Sequence, residues 1–122
     1  MQEQDYMQEQ DYFGRRCHER KGIQGYHAIF TEENFTYKAD VRDVSLGGVR
    51  LLNISKDFLI RRKVYDVEIS AKHDENSYNI KIWPIWKLEH NNDMFEIGFT
   101  ISNFSERWND FVENINTQKV PI

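Results

Sequence analysis

The segment Phe95-Glu96-Ile97-Gly98-Phe99-Thr100-Ile101, near the end of the chain, has the clearest pattern in the sequence. Apolar side chains occupy every second position, which is the period of a β-strand with one face in the core. The chain then changes period, because the next apolar residues have the spacing of one helix face: Phe104, Trp108, Phe111, Val112 and Ile115. The pattern predicts a mainly β domain that ends in one amphipathic helix, and Asn103 followed by Glu106 predicts its capped start.

Five earlier segments also have strand character: residues 24–30, 35–44, 48–54, 64–70 and 78–82. Polar segments at 32–34, 72–76 and 90–93 predict turns, and Pro84 predicts a bulge or an edge position. Six short antiparallel strands with turns at about ten-residue spacing favour a small barrel or sandwich. No βαβ pattern and no Gly-rich phosphate loop occurs, which argues against Rossmann and P-loop folds.

The composition is typical of one intracellular domain. At 122 residues the chain is one domain by length, and its single cysteine, Cys17, excludes an internal disulfide. No apolar run approaches the roughly 20 residues that a membrane span needs, and the N-terminus lacks the features of a signal peptide. We therefore expect a soluble cytoplasmic protein without a membrane partner.

Charge is unevenly distributed along the chain. Residues 1–12 repeat Met-Gln-Glu-Gln-Asp-Tyr twice and carry four acids without a base, which leaves sixteen acids to balance sixteen bases elsewhere. Two units are too few for a repeat array, so we expect residues 1–13 to be a flexible acidic tail. The predicted folded domain is 14–116, and residues 117–122 form a C-terminal tail.

Two arginines form the first candidate binding motif. Arg16 and Arg20 make an R-x-x-x-R within a basic segment that stands out on an otherwise neutral domain. An arginine fork pairs with phosphate or with guanine O6 and N7, and its flat face stacks on rings. Two such side chains are a plausible clamp for an anionic guanine nucleotide, although a basic run of this kind is also typical of a solvated face.

The second motif is a D-x-S-x-x-G formed by Asp43, Ser45 and Gly48. A carboxylate such as Asp43 accepts hydrogen bonds from the N1–H and N2–H groups of guanine, and Ser45 donates or accepts. Gly48 removes a Cβ where a flat ligand approaches and permits a positive φ. We expect the motif at a strand–turn–strand corner, and taken alone it is also typical of an ordinary turn.

In this order and at this spacing, the two motifs resemble the ligand signature of PilZ domains, bacterial receptors for cyclic di-GMP. The resemblance covers about residues 15–116 and implies a six-stranded antiparallel β-barrel with a C-terminal helix. Ile85-Trp86-Lys87 looks like the tryptophan-bearing strand of the family, and Phe95 to Phe99 looks like its late strand. Here a Phe follows Gly98 directly, which leaves the register of that strand open.

The resemblance implies a receptor or adaptor that changes surface shape on binding and signals to a partner protein controlling motility, biofilm or exopolysaccharide. It assigns the ligand contacts to Arg16, Arg20, Asp43, Ser45 and Gly48. Trp86 is a further candidate for a wall of the site, with core packing as the alternative. Arg15, just before the arginine motif, is associated in the family with a stacked pair of cyclic di-GMP molecules.

Three other functions are compatible with a small barrel. For an enzyme, the histidines lack metal-ligand spacing and no nucleophile motif occurs, so we expect no catalytic residue, metal or cofactor. A nucleic-acid-binding barrel would place aromatic side chains beside basic grooves, but most aromatic residues here fall on expected core faces. A PilZ-like adaptor that acts through protein contacts alone would not need the two motifs.

Overall fold

The computed structural model describes residues 19–32, 34–90, 92–103 and 105–115. The predicted tails, 1–13 and 117–122, lie outside these residues. The described chain contains seven strands and one helix. They are β1 (Lys21–Gly22), β2 (Tyr26–Glu32), β3 (Phe35–Val44), β4 (Gly48–Ser55), β5 (Tyr65–Ala71), β6 (Tyr78–Glu89), β7 (Met94–Ile101) and α1 (Glu106–Asn114).

Strands β2 to β7 form a closed antiparallel barrel. The strand order is β3-β2-β5-β6-β7-β4, and β4 pairs back with β3 to close the sheet. The prediction of a mainly β, six-stranded antiparallel barrel with a C-terminal helix is therefore confirmed. The additional strand β1 was not predicted, because two residues are too short to show a period; it pairs with the end of β3 through Lys21↔Val44 and Gly22↔Asp43.

The core follows from the alternation of side chains along the strands. Ile97 and Phe99 of β7 point inward and are buried, as the period of two predicted. One end of the barrel is covered by α1, whose Trp108, Phe111 and Val112 are buried. The helix also contacts the β3–β4 turn, because the Trp108 indole Nε1 donates to the Ser45 carbonyl at 3.1 Å.

The start of α1 differs from the prediction. Ser105, not Asn103, is the N-cap: its backbone is extended and its hydroxyl accepts from the Trp108 N–H at 3.2 Å. Asn103 lies outside the helix and its side chain accepts from the Lys81 N–H at 3.0 Å. The cap must immediately precede the first helical residue, Glu106, to reach the free N–H groups of the first turn. No helix in the described ranges is long and apolar enough to cross a membrane.

Strand β6 is longer than predicted and carries the irregularity that Pro84 indicated. It continues to Glu89, and its pairing with β7 shifts register between Pro84 and Trp86. Because of this shift, Trp86 lies opposite Gly98 on the outer face of the barrel and is 39% exposed. The alternative prediction, that Trp86 packs in the core, is therefore wrong. The register of β7 is also resolved, because Gly98 faces outward and Phe99 inward.

Candidate functional site

The D-x-S-x-x-G motif lies at the corner between β3 and β4, where the sequence placed it. The Ser45 N–H donates to the Gly48 carbonyl at 2.9 Å, and the Ser45 hydroxyl lies 3.4 Å from the same oxygen. Ser45 is only 3% exposed. These contacts hold a tight turn, so Ser45 has a structural role at this corner whatever else it contacts.

Two reasons were predicted for Gly48, clearance for a ligand and a positive φ, and the structure bears on the second. A Cβ at this position would lie 2.7 Å from the Phe99 carbonyl oxygen, which is closer than side-chain atoms approach backbone. Gly48 pairs with Thr100 inside a regular ladder, and the described glycine with a positive φ is Gly25. The prediction that Gly48 supplies a positive φ is therefore wrong; a glycine is required here because β4 and β7 pack closely.

Asp43 is a buried carboxylate with unequal oxygens. It is 7% exposed, and Arg50 donates to its Oδ2 from Nε at 3.0 Å and from Nη2 at 2.7 Å. Its Oδ1 lies 3.5 Å from Arg20 Nε. Within the described residues, however, Oδ1 accepts no hydrogen bond although it is buried. One oxygen of the carboxylate is thus saturated and the other retains its capacity to accept.

Strand β1 positions Arg20 at this carboxylate. Gly22 pairs with Asp43, so Arg20 emerges beside the end of β3 with a side chain that is 40% exposed. The next residue, Lys21, donates from Nζ to the Val112 carbonyl at 2.7 Å, near the C-terminal end of α1. This contact anchors the segment, because cations stabilise the unpaired carbonyls at a helix end. Arg15 and Arg16 lie outside the described residues.

A second buried carboxylate, Glu96, adjoins Asp43 and was not found from the sequence. It points outward from β7 yet is only 4% exposed, because two arginine side chains and one histidine side chain cover it. Arg42 Nη1 lies 3.2 Å, His90 Nε2 3.1 Å and Arg50 Nη1 3.8 Å from its carboxylate oxygens. The sequence offers one signal for this residue: Glu96 is an acid between the apolar residues of a predicted strand. Arg50, a partner for its charge, lies on the neighbouring strand β4.

Trp86 borders this charged cluster on the outer face. Its indole lies against Gly98, and the Arg50 guanidinium carbon is 6.0 Å from the ring centroid. The candidate site is therefore one continuous outer surface with arginine donors, one acceptor oxygen and an aromatic ring. It suits a ligand that combines oxyanions, N–H donors and flat rings. Among the described residues, no group of His, Cys, Asp or Glu has the arrangement of a metal site.

The structure also contains a concave pocket away from this surface. It has a volume of about 380 Å³ and lies between α1 and the β5–β6 turn, with Tyr26, Asp74, Tyr78 and Phe111 among its walls. Of the motif residues that the structure describes, none lines this pocket. The candidate site therefore lies on the outer face of the barrel and outside this pocket.

Comparison with solved structures shows what this barrel is similar to. The PilZ domain of YcgR from Escherichia coli with c-di-GMP superposes with a TM-score of 0.62 at 17% identity, over 81% of this chain and 86% of that one. YcgR from Escherichia coli in complex with c-di-GMP gives a TM-score of 0.64 at 19% identity, over 81% of this chain and 43% of that one. The Bacillus subtilis inhibitor of motility, MotI/DgrA, gives 0.63 at 13% identity, over 80% and 47%.

The likeness is one of structure and not of sequence. No family model matches the chain, and no curated protein matches it in sequence. The chain spans less than half of the YcgR chain in the second comparison and of the MotI/DgrA chain. Identities below one fifth, with coverage of about four fifths of this chain, support a statement about fold. This chain has the fold of a PilZ domain.

Proposed function

We propose that this protein is a cyclic di-GMP receptor whose outer barrel face changes shape on binding and signals to a partner protein. One observation carries the proposal: Arg20 and Asp43, one from each motif and more than twenty residues apart in sequence, meet at 3.5 Å. The fold supports it, because two structures with the same architecture are complexes of YcgR with c-di-GMP.

The charged cluster suggests a role for each side chain. Arg20 is exposed enough to turn towards a phosphate or a guanine ring, and we assign Arg16 the same role. Asp43 accepts a guanine N–H, and Trp86 offers an aromatic surface at the rim. Ser45 lies at the same corner, and its contact with ligand requires the hydroxyl to turn from the Gly48 carbonyl. Gly48 keeps the corner free of a side chain.

We further propose that Arg15 favours two stacked cyclic di-GMP molecules over one. A second arginine plane beside Arg16 gives an additional surface on which a guanine can stack. The proposed output is a partner that controls motility, biofilm or exopolysaccharide. For motility the similarity in fold to the inhibitor MotI/DgrA gives support.

A ligand-independent adaptor is the second candidate, and one observation favours it. Trp83, Ile85 and Leu88 are 37%, 47% and 51% exposed along β6, beside Trp86. Exposed apolar side chains in a row are typical of a protein contact surface. The two candidates differ in one measurable property, because an adaptor of this kind binds no cyclic di-GMP.

The deciding experiment is isothermal titration with cyclic di-GMP of the wild type and of Arg16→Ala/Arg20→Ala. The matched control is Arg61→Ala/Arg62→Ala, which removes the same charge from the exposed loop before β5. We expect near-micromolar binding, about −8 kcal/mol, in the wild type and the control, and none in the motif variant.

Each other outcome has a definite meaning. No heat from the wild type at several temperatures contradicts the receptor and favours the adaptor. Equal binding by the motif variant removes the arginines from the site. A stoichiometry near two supports the stacked pair, and a value near one removes it. Incubation of the complex followed by chromatography tests the expectation that cyclic di-GMP is not hydrolysed.

A further inference from the structure

The two buried carboxylates of the outer face share one arginine. Arg50 donates to Asp43 from Nε and Nη2, while its Nη1 lies 3.8 Å from Glu96. We propose that Arg50 and Glu96 are positioning residues, which occupy Oδ2 of Asp43 and hold the carboxylate so that Oδ1 is the oxygen left to accept a hydrogen bond from the ligand. The inference deepens the proposed receptor function and rests on it for the identity of the ligand.

The first step concerns the two oxygens of Asp43. An ionised carboxylate oxygen has two lone-pair sites, and Arg50 fills both on Oδ2 with contacts of 3.0 and 2.7 Å. Oδ1 is buried and accepts no hydrogen bond from the part of the chain that the structure describes. Arg20 Nε lies 3.5 Å from Oδ1 as an ion-pair partner but does not form a hydrogen bond with it. A buried acceptor without a hydrogen bond is unfavourable, so a ligand N–H at Oδ1 would supply the missing bond. Guanine N–H donors should therefore converge on this one oxygen.

The second step concerns what holds Arg50. A long side chain on a strand has many rotamers, but this one has a carboxylate on each side of its planar fork. Asp43 accepts from Nε and Nη2 of Arg50, and Glu96 lies near Nη1 on the other side of the fork. The Glu96 side chain is only 5% exposed. A lysine has no fork and cannot contact both carboxylates in this way. A buried Glu96 in turn needs nearby positive charge, so the ion pairs depend on one another.

The third step separates positioning from direct contact. Arg42 and His90 cover the Glu96 carboxylate at 3.2 and 3.1 Å, so its oxygens face side chains and not the exposed surface. Any effect of Glu96 on ligand affinity must therefore act through a neighbour. Arg50 is the neighbour that also contacts Asp43, which makes the route specific and testable.

The test is a double-mutant cycle on cyclic di-GMP affinity, with Glu96→Gln, Arg50→Lys and the combined variant. We expect each single change to weaken binding about tenfold, and the combined variant to be no weaker than Arg50→Lys alone, because residues of one network are not additive. The matched control is Glu89→Gln, which removes an acid that contacts Lys56 at the surface of β6. Additive losses, or unchanged affinity in Glu96→Gln, would overturn the proposal.

A second measurement needs no ligand. In nuclear magnetic resonance spectra, the Arg50 Nε–H should give a shifted, slowly exchanging signal, assigned by its loss in Arg50→Lys. We expect it to vanish in Asp43→Asn, to exchange faster in Glu96→Gln and to be unchanged in Glu89→Gln. A signal unaffected by Glu96→Gln would overturn the positioning role. A wild type that binds no cyclic di-GMP overturns the receptor function instead, and this signal still decides whether Glu96 holds Arg50.

Discussion

The indole ring of Trp86 lies directly on the backbone of Gly98, across the pairing of β6 with β7. A Cβ at position 98 would overlap the Cε2, Nε1 and Cζ2 atoms of the ring. The contact depends on the register shift between Pro84 and Trp86, which brings the ring opposite the glycine. A glycine and a proline therefore determine together where the aromatic edge of the candidate site lies.

Gly98→Ala should destabilise the barrel by about 1–3 kcal/mol, because the new methyl group must displace the Trp86 ring. Urea unfolding measures the loss. Gly22→Ala is the matched control, since the nearest atom to its Cβ, the Arg42 carbonyl oxygen, is 4.0 Å away. Equal stabilities of the two variants would show that Trp86 moves from Gly98 without cost.

Gly48→Ala should lower stability by a similar amount, about 1–3 kcal/mol, in the absence of any ligand. The reason is the 2.7 Å approach of its Cβ to the Phe99 carbonyl oxygen, which is backbone and cannot rotate away. Thermal unfolding of ligand-free protein checks this. A variant as stable as wild type would contradict the packing explanation and favour the predicted role of Gly48 in leaving room for a ligand.

The two candidate caps of α1 are separable by hydrogen exchange. Ser105→Ala should speed exchange of the Trp108 amide and cost about 1 kcal/mol, because it removes the capping acceptor. Asn103→Ala should instead speed exchange of the Lys81 amide. If Asn103→Ala exposed the Trp108 amide and Ser105→Ala did not, the assignment of the cap would be wrong.

Alkaline stability should depend on Tyr26. Burial raises the pKa of this phenol above its usual range, and its 2.6 Å hydrogen bond to Asp74 adds to the effect. The unfolded phenol ionises near pH 10 while the folded one stays protonated, so stability is lost as pH rises above about 10. The loss continues towards the folded pKa. The pKa of Tyr78 is also raised by burial and by its hydrogen bond to Asp74, so Tyr78 contributes in the same direction.

Tyr26→Phe should cost about 1 kcal/mol at neutral pH and flatten the alkaline loss. Unfolding by urea at several pH values between neutrality and pH 11 gives both results. The remaining slope in the variant is the expected contribution of Tyr78. Parallel pH profiles for the variant and the wild type would mean that the Tyr26 hydroxyl ionises alike in both states.

Binding of cyclic di-GMP should weaken as salt concentration rises, because the ligand is a dianion and the site presents exposed arginine. Titrations at about 0.05 and 0.5 M salt would show it. Arg20→Ala should reduce this salt dependence, whereas Arg62→Ala should not, since Arg62 lies in the loop before β5. An affinity independent of salt would argue against phosphate as the group that Arg20 contacts.

Local patterns were sufficient to predict much of the barrel. The alternation of Phe95, Ile97 and Phe99 predicted the inward face of β7, and the helical spacing of Trp108 and Phe111 predicted the buried face of α1. These predictions succeed because side-chain period is a property of a short segment. The β1 strand has only two residues, so no period exists to reveal it.

Sequence motifs located the β3–β4 corner but not its partners. The motif residues Arg20 and Asp43 could be chosen because their residue types and spacing suggest one kind of ligand. Arg50 and Glu96 could not be chosen, because neither belongs to a short motif. Among the described residues, Arg50 is the side chain that contacts both Asp43 and Glu96. It lies on β4, which pairs with both β3 and β7.

Amino-acid order alone predicted the strand period, the terminal helix, the turn at Asp43 to Gly48 and the candidate chemistry of two motifs. Closure of the barrel was needed to show that Trp86 faces outward, that Gly48 fits the close packing of two strands, and that no described residue donates a hydrogen bond to Asp43 Oδ1. The physical reason is pairing across strands: register, bulges and ion pairs depend on residues far apart in the chain, and barrel closure brings them together.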